Sequence, residues 1–283
     1  MGAGAVTGVG SLPHTDPDRA VAFVAQHAAE VPFWPQLPRR GPGEGMVAQA
    51  LLAPQALLDG AAALRPFLRA LQQGRFSAAR AVKGQVCGPI TLAHAVGGHP
   101  LGEGGPDHVA QVAAQAVWQV RALGANGLPV IVVVDEPALG SAPVTVAELA
   151  GLGRVLAAIR SAGAVAGLHT CATGPLVLPS PRPDLLSLDL HGAGVAGHPA
   201  LWGGGGLVAA GLVPTTGDPL PSVDVLVDRL AAAIGTTDPA DAASRTLVTA
   251  TCGLAGLDEA EAADRFALAA AVGARIRDLA GPS

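Results

Sequence analysis

Pro129-Val130-Ile131-Val132-Val133-Val134-Asp135-Glu136-Pro137 is the stretch on which the fold turns. Its β-branched residues run without a polar interruption and then stop at two carboxylates. A strand with one wet face alternates polar and apolar side chains. A continuous apolar run suits a strand covered on both faces, as in a parallel sheet flanked by helices. Asp135 and Glu136 then place charge where the strand leaves the sheet.

Short β-like runs of this kind recur at Ala5–Gly10, Val31–Gln36, Ala81–Gly88, Ala164–His169, Leu185–Asp189, Leu207–Leu212 and Thr246–Thr251. With Pro129–Asp135 they make eight. Most intervals between them hold apolar residues at helical spacing. Asp16–Ala29 starts with an Asp cap and Pro17 in the first turn. Thr145–Ala162 offers Thr145 with Glu148 three residues on, a capping box. Met46–Leu71 has room for one or two helices, and Asp107–Leu123, Ser222–Ile234 and Asp258–Leu279 complete the set. The intervals after the fifth and sixth runs are rich in Pro or Gly, so brief helices are expected there. Gly203–Gly206 reads as a turn before the seventh strand. Alternating strands and helices over about 250 residues predict an α/β protein, a single (β/α)8 TIM barrel. One domain over residues 1–283 is expected, with a doubly wound open sheet as the alternative.

Half of the 283 residues are hydrophobic and 14% are charged, which is too apolar for disorder and enough for a large core. The net charge of −5 leaves no basic stripe, so nucleic acid is not an expected partner. No apolar run is long enough to span a membrane, and the start of the chain lacks the pattern of a secretory signal. With 3 cysteines there is no disulfide framework. A reducing cytoplasm is the expected setting.

A barrel carries its active site at the C-terminal ends of its strands. The residues there are Ser11 and His14, Gln36, Cys87, Asp135 and Glu136, His169 and Cys171, Asp189 and His191, Thr215, and Cys252. Nearly every run finishes in a chemically capable side chain. His169, Cys171, Asp189 and Cys252 supply imidazole, thiol and carboxylate, the donors that zinc takes. The alternative is a pair of buried cysteines beside a hydrogen-bonded histidine. Two thiolates and a carboxylate would leave the metal electron-rich. A thiol bound there loses its proton at neutral pH and stays nucleophilic. Asp135 can hold an ammonium group, Glu136 can order a loop, Ser11 can grip a carboxylate, and Cys87 reads as structural.

These pieces together resemble a known family. Gly10-Ser11-Leu12-Pro13, Lys83-Gly84 with Gly88-Pro89-Ile90-Thr91, Asp135-Glu136-Pro137-Ala138-Leu139, His169-Thr170-Cys171 and Cys252-Gly253-Leu254 occur in the order found in the catalytic, C-terminal half of cobalamin-independent methionine synthase. That half belongs to a wider group of barrels that includes uroporphyrinogen decarboxylase. The resemblance implies a zinc-held homocysteine thiolate that attacks a methyl group. It places His169, Cys171 and Cys252 on three zinc ligands. Asp189 stands where the family has a glutamate, and its shorter arm leaves direct ligation open. Ser11 and Asp135 fall where the family holds the amino-acid end of homocysteine, with Glu44 nearest to a glutamate that takes part there.

The family's long form has a further N-terminal half that helps bind polyglutamyl folate, and residues 1–283 show no counterpart to it. The long form also carries a histidine after the seventh strand. Here that loop is Val213-Pro214-Thr215-Thr216-Gly217-Asp218-Pro219. A folate nitrogen needs a proton to leave, whereas a Co(I) corrinoid does not. The expected methyl donor is therefore a methyl-corrinoid, on a partner corrinoid protein, rather than methyltetrahydrofolate. His191 and His14 are the candidate proton donors that would reverse this choice. The acceptor is homocysteine or a related thiol. The competing readings are a uroporphyrinogen decarboxylase-like enzyme using Arg39 and Arg40, and a non-catalytic ligand-binding barrel.

Overall fold

The computed structural model describes residues 2–97, 107–140, 143–171, 177–192 and 204–281. Its centre is a parallel sheet of six strands in chain order: β1 (Val82–Cys87), β2 (Val130–Asp135), β3 (Val165–Thr170), β4 (Leu185–Asp189), β5 (Leu207–Val213) and β6 (Thr246–Ala250). Each joins its sequence neighbour, so every connection carries the chain back to start the next strand at the same end. β2 is buried at every position, as its uninterrupted apolar run requires.

The first two expected strands do not form regular ladders. Each is reduced to single-residue parallel bridges: Val6 with Val248 of β6, Phe33 with Lys83 of β1, and Ser11 with Gln36 between the two runs. Backbone bonds accompany them, among them Thr7 N–H to Val248 O at 3.1 Å, Lys83 N–H to Pro32 O at 2.8 Å and Gln36 N–H to Gly10 O at 3.0 Å. The physical reason is local. Pro32 and Pro35 have no N–H to give a ladder. Gly8 lies under the Phe33 ring, where an added Cβ would come within 2.3 Å of ring carbon.

Two apolar layers result. The larger lies between the strands and the helices. The smaller joins Ala5, Val31, Ala81, Ile131, Val133, Leu185, Ala209 and Leu247, with Val165 and Leu207 packed against it. Residues from all eight expected runs meet in this inner layer.

Helices form at Pro17–His27, His108–Gly124, Val146–Ser161, Val223–Ile234 and Glu259–Ala280, close to expectation. Asp16 caps the first, and the Thr145–Glu148 capping box is present. Met46–Leu71 is more broken than expected. It divides into Met46–Ala50, a 3-10 turn at Pro54–Ala56, Leu57–Gly60 and Leu64–Gln72, because Pro54 and Gly60 interrupt the pattern. Two short helices, Pro89–Gly97 and Pro239–Ser244, were not expected. The interval after β3 is described from residue 177 and holds no helix there, while most of the interval after β4 lies outside the described residues. Gly204 and Gly205 do make a turn before β5.

Glu136 orders the chain beside the sheet, as its position suggested. Its Oε1 accepts from Ile90 N–H at 2.8 Å, and its Oε2 from Thr91 N–H at 2.9 Å and Thr91 Oγ1 at 2.6 Å. A buried carboxylate on β2's exit thus caps the helix Pro89–Gly97 that follows β1. Gly88 is required next to it, since a Cβ there would lie 2.1 Å from the Glu136 carboxyl carbon. Glu136→Ala strands two buried N–H groups. It is expected to lower the unfolding free energy by about 1–3 kcal/mol in urea denaturation, with Glu136→Gln losing less.

Candidate functional site

Parallel register sets the geometry. Cys87 lies opposite Asp135, Asp135 opposite His169, and His169 opposite Ser187. The C-terminal ends of β1 to β4 therefore form one level row. Above it opens a cavity of about 310 Å3, a volume suited to a small ligand. Ser11, Gln36, Glu44, Asp135, His169, Cys171 and Cys252 all line it. The residues come from the N-terminal run, the loop after Gln36, and the ends of β2, β3 and β6, so the fold gathers positions far apart in the chain.

His169 Nδ1 is 3.0 Å from Ser187 Oγ, which leaves Nε2 to face the thiols. Cys171, Cys252 and His169 all line this cavity, and their side chains are close enough to act on one another's titration. All cysteines are free thiols: Cys252 is exposed, Cys171 half-buried and Cys87 buried. The neighbouring Cys252 thiol lowers the pKa of the Cys171 thiol, and Cys171 in turn raises that of Cys252.

Asp189 is close enough that its charge raises Cys171, but its Oδ1 accepts the His191 N–H at 2.7 Å. Among the described residues, no group of three or more His, Cys, Asp or Glu side chains stands arranged to hold an ion. The cavity wall carries two thiols and one imidazole. Those are donors of the type zinc takes, and Asp189 beside them is engaged with its own loop.

At the other side of the cavity, Asp135 Oδ1 is buried without a hydrogen-bond partner among the described residues. Burial pushes its carboxyl up to about 7, opposed by the nearby Lys83 ammonium. Burial is also the main cause that brings Glu136 to about 7. Glu44 reaches the cavity from a 3-10 turn at Pro42–Glu44. Its carboxylate accepts from Ala62 N–H at 2.9 Å and Gln49 Nε2 at 3.1 Å, and Arg40 Nε lies 3.7 Å away.

The two candidate proton donors lie elsewhere. His14 is buried against Phe23, with ring centroids 4.8 Å apart, and 3.9 Å from Glu259. His191 Nε2 is 2.6 Å from Leu212 O and lines a different cavity beside Arg229. Neither lines the cavity above the sheet. Arg39 and Arg40 do not line it either; they reach Leu257 O and Thr15 O across the surface. Cys87 is buried below, with its thiol pushed up by burial and by the Glu136 and Asp135 charges, as befits a structural residue. Lys83 is buried on β1, and the sequence signal for it is that the chain has no second lysine.

Comparison with known proteins finds likeness in fold. A B12-independent methionine synthase from Shewanella sp. W3-18-1, solved with selenomethionine, superposes with a TM-score of 0.52 at 17% identity, covering 74% of this chain and 67% of its own. A methyltransferase from Methanosarcina mazei gives a TM-score of 0.52 at 16% identity, covering 80% and 67%. No family model and no curated protein matches the chain. No helix among the described residues is long and apolar enough to cross a membrane.

The two raised carboxyls carry a stability consequence. Asp135 and Glu136 keep their protons in the folded state up to about pH 7, whereas the unfolded chain releases them near pH 4. Their contribution to stability is full below pH ~4 and is lost as pH rises through about 7. Lys83, brought down to about 8 by burial, titrates above that window. Asp135→Asn should flatten the fall in unfolding free energy between pH ~5 and ~7 by up to about 1.4 kcal/mol per pH unit. Urea unfolding at several pH values measures this.

Proposed function

We propose that this protein is a thiol methyltransferase: a zinc-dependent enzyme that moves a methyl group onto the sulfur of homocysteine or a related thiol, giving methionine from homocysteine. One observation carries the reading. His169, Cys171 and Cys252, distant in the chain, all line a cavity whose other wall holds Ser11, Glu44 and Asp135, one of whose oxygens has no hydrogen-bond partner among the described residues. The resemblance of the motifs to the catalytic half of cobalamin-independent methionine synthase, and the fold shared with the Shewanella enzyme, support it.

The architecture proposed is a single closed (β/α)8 barrel over residues 1–283. Supporting it, the bridges at Val6, Ser11 and Phe33 run from β6 through both N-terminal runs to β1. The inner apolar layer draws on every run. A cytoplasmic setting, kept reducing, agrees with three free thiols.

His169, Cys171 and Cys252 would hold the zinc. Asp189 would either add the fourth donor through its second oxygen or leave that place to the acceptor sulfur. Bound zinc would lower the acceptor thiol's pKa enough to make it a thiolate at neutral pH. Ser187 fixes the His169 ring by engaging Nδ1. Asp135 offers its open oxygen to the α-ammonium group. Ser11 stands against Gly253, where a Cβ would lie 2.0 Å from Ser11 Oγ, and can bind the carboxylate from that wall. Glu44, already held by Ala62 and Gln49, closes the amino-acid end.

The methyl donor proposed is a methyl-corrinoid, presented by a partner corrinoid protein. Attack by sulfur forms the C–S bond while the carbon–cobalt bond breaks, leaving its electron pair on cobalt as Co(I). No proton is needed. A methyltetrahydrofolate nitrogen would need one, and among the described residues the sole imidazole lining the cavity is His169, committed to the cluster. Neither His14 nor His191 is placed to supply that proton.

Purified protein should contain about one zinc per chain by elemental analysis. Cys252→Ser should lose it together with more than about a hundredfold of activity, while Ser187→Ala should weaken metal affinity about 10- to 100-fold. Homocysteine methylation should proceed with methylcobalamin and fail with methyltetrahydrofolate. Turnover with methyltetrahydrofolate alone would overturn the donor assignment. Zinc-free protein that keeps full activity would overturn the metal reading.

A further inference from the structure

Arg265 lies on the helix Glu259–Ala280 and is 6% exposed, the only buried arginine among the described residues. Arg19, Arg65, Arg160 and Arg275 each meet a carboxylate near the surface. Arg265 forms no ion pair among the described residues, and its Nε is buried without a hydrogen-bond partner. Glu261 stands four residues before it, a spacing that ordinarily lets glutamate and arginine pair on a helix. Here the Glu261 carboxylate turns back to accept Asp258 N–H at 2.8 Å and completes the capping box. Glu259 is taken by Arg19. The helix start thus draws off the acids that could have compensated the arginine. A guanidinium keeps its charge at any pH the fold survives, so burial cannot be relieved by losing a proton.

Arg265 lines a cavity of about 10 Å3 together with Ser11, Phe33, Cys252 and Phe266. A volume on the order of 10–15 Å3 holds one water-sized particle. Phosphate, sulfate and organic carboxylates are too large for it. No Asp or Glu is among its lining residues. A water molecule would offer an acceptor but no charge, whereas a monatomic anion supplies both, and one negative charge balances one guanidinium. Ser11 and Cys252 line this cavity and the larger ligand cavity alike, so the two share that wall.

We infer that the cavity beside Arg265 is a binding site for a monatomic monovalent anion of chloride size. The ion neutralises the buried guanidinium behind the Ser11–Cys252 wall. It stays outside the larger cavity, which Arg265 does not line. The inference stands independently of the proposed methyl transfer, because it uses only the arginine, its missing partner and the size of the cavity.

Thermal unfolding in sodium chloride and in sodium gluconate at equal ionic strength tests it, since gluconate cannot enter so small a space and screening is the same in both. Wild type should unfold about 5–10 °C higher once chloride exceeds its Kd a hundredfold. Arg265→Met should lose that difference. Crystals of wild type soaked in bromide should show an anomalous peak in contact with the Arg265 guanidinium. An equal chloride response in wild type and Arg265→Met would overturn the inference, as would the absence of a bromide peak at Arg265. If Arg265→Met does not fold, wild type alone decides. A peak with a chloride-dependent midpoint supports the site, and a peak without one marks an adventitious ion only and overturns it.

Discussion

Register between parallel strands is the constraint on which this molecule depends. Pairing Asp135 with His169 and His169 with Ser187 brings strand ends to one height. A one-residue slip would turn every inward side chain outward. The pairing of β1 with β2 runs without a shift from Val82 opposite Val130 to Cys87 opposite Asp135. Apolar burial thus decides the position of polar groups that contribute nothing to it. The site is a consequence of where hydrophobic strands must stop.

Those strand ends hold charges that a purely structural protein would avoid. Asp135 and Glu136 are both buried where β2 leaves the sheet. Glu136 offsets its desolvation with three hydrogen bonds at the start of a helix. Asp135 keeps an open oxygen instead. Two carboxyls adjacent in sequence therefore take different parts, one completing the scaffold and one left available. Local conflict of this sort, tolerated because the surroundings are rigid, is what functional sites look like in otherwise consistent structures.

The thiol cluster shows the same division between framework and chemistry. His169 ends a buried strand and is oriented by Ser187 from the next one. Cys171 and Cys252 lie just past their strands, where the backbone is free of ladder bonds and sulfur can reach solvent.

Continuous apolar runs, capping pairs and polar strand ends were legible from composition and spacing, because burial and hydrogen-bond demand act on short segments. Helix starts at Asp16 and Thr145 were visible for that reason. Tertiary structure decided what depends on partners remote in the chain. Prolines and a close glycine–phenylalanine contact reduced two strands to bridges. His14 and His191, near strand ends in sequence, were drawn to Phe23 and to the Leu212 carbonyl instead. Asp189 turned to its own loop, and Lys83 to the Val9 carbonyl. Periodicity is a property of neighbours a few residues apart, whereas the direction of a side chain in a crowded interior depends on residues that only folding brings near.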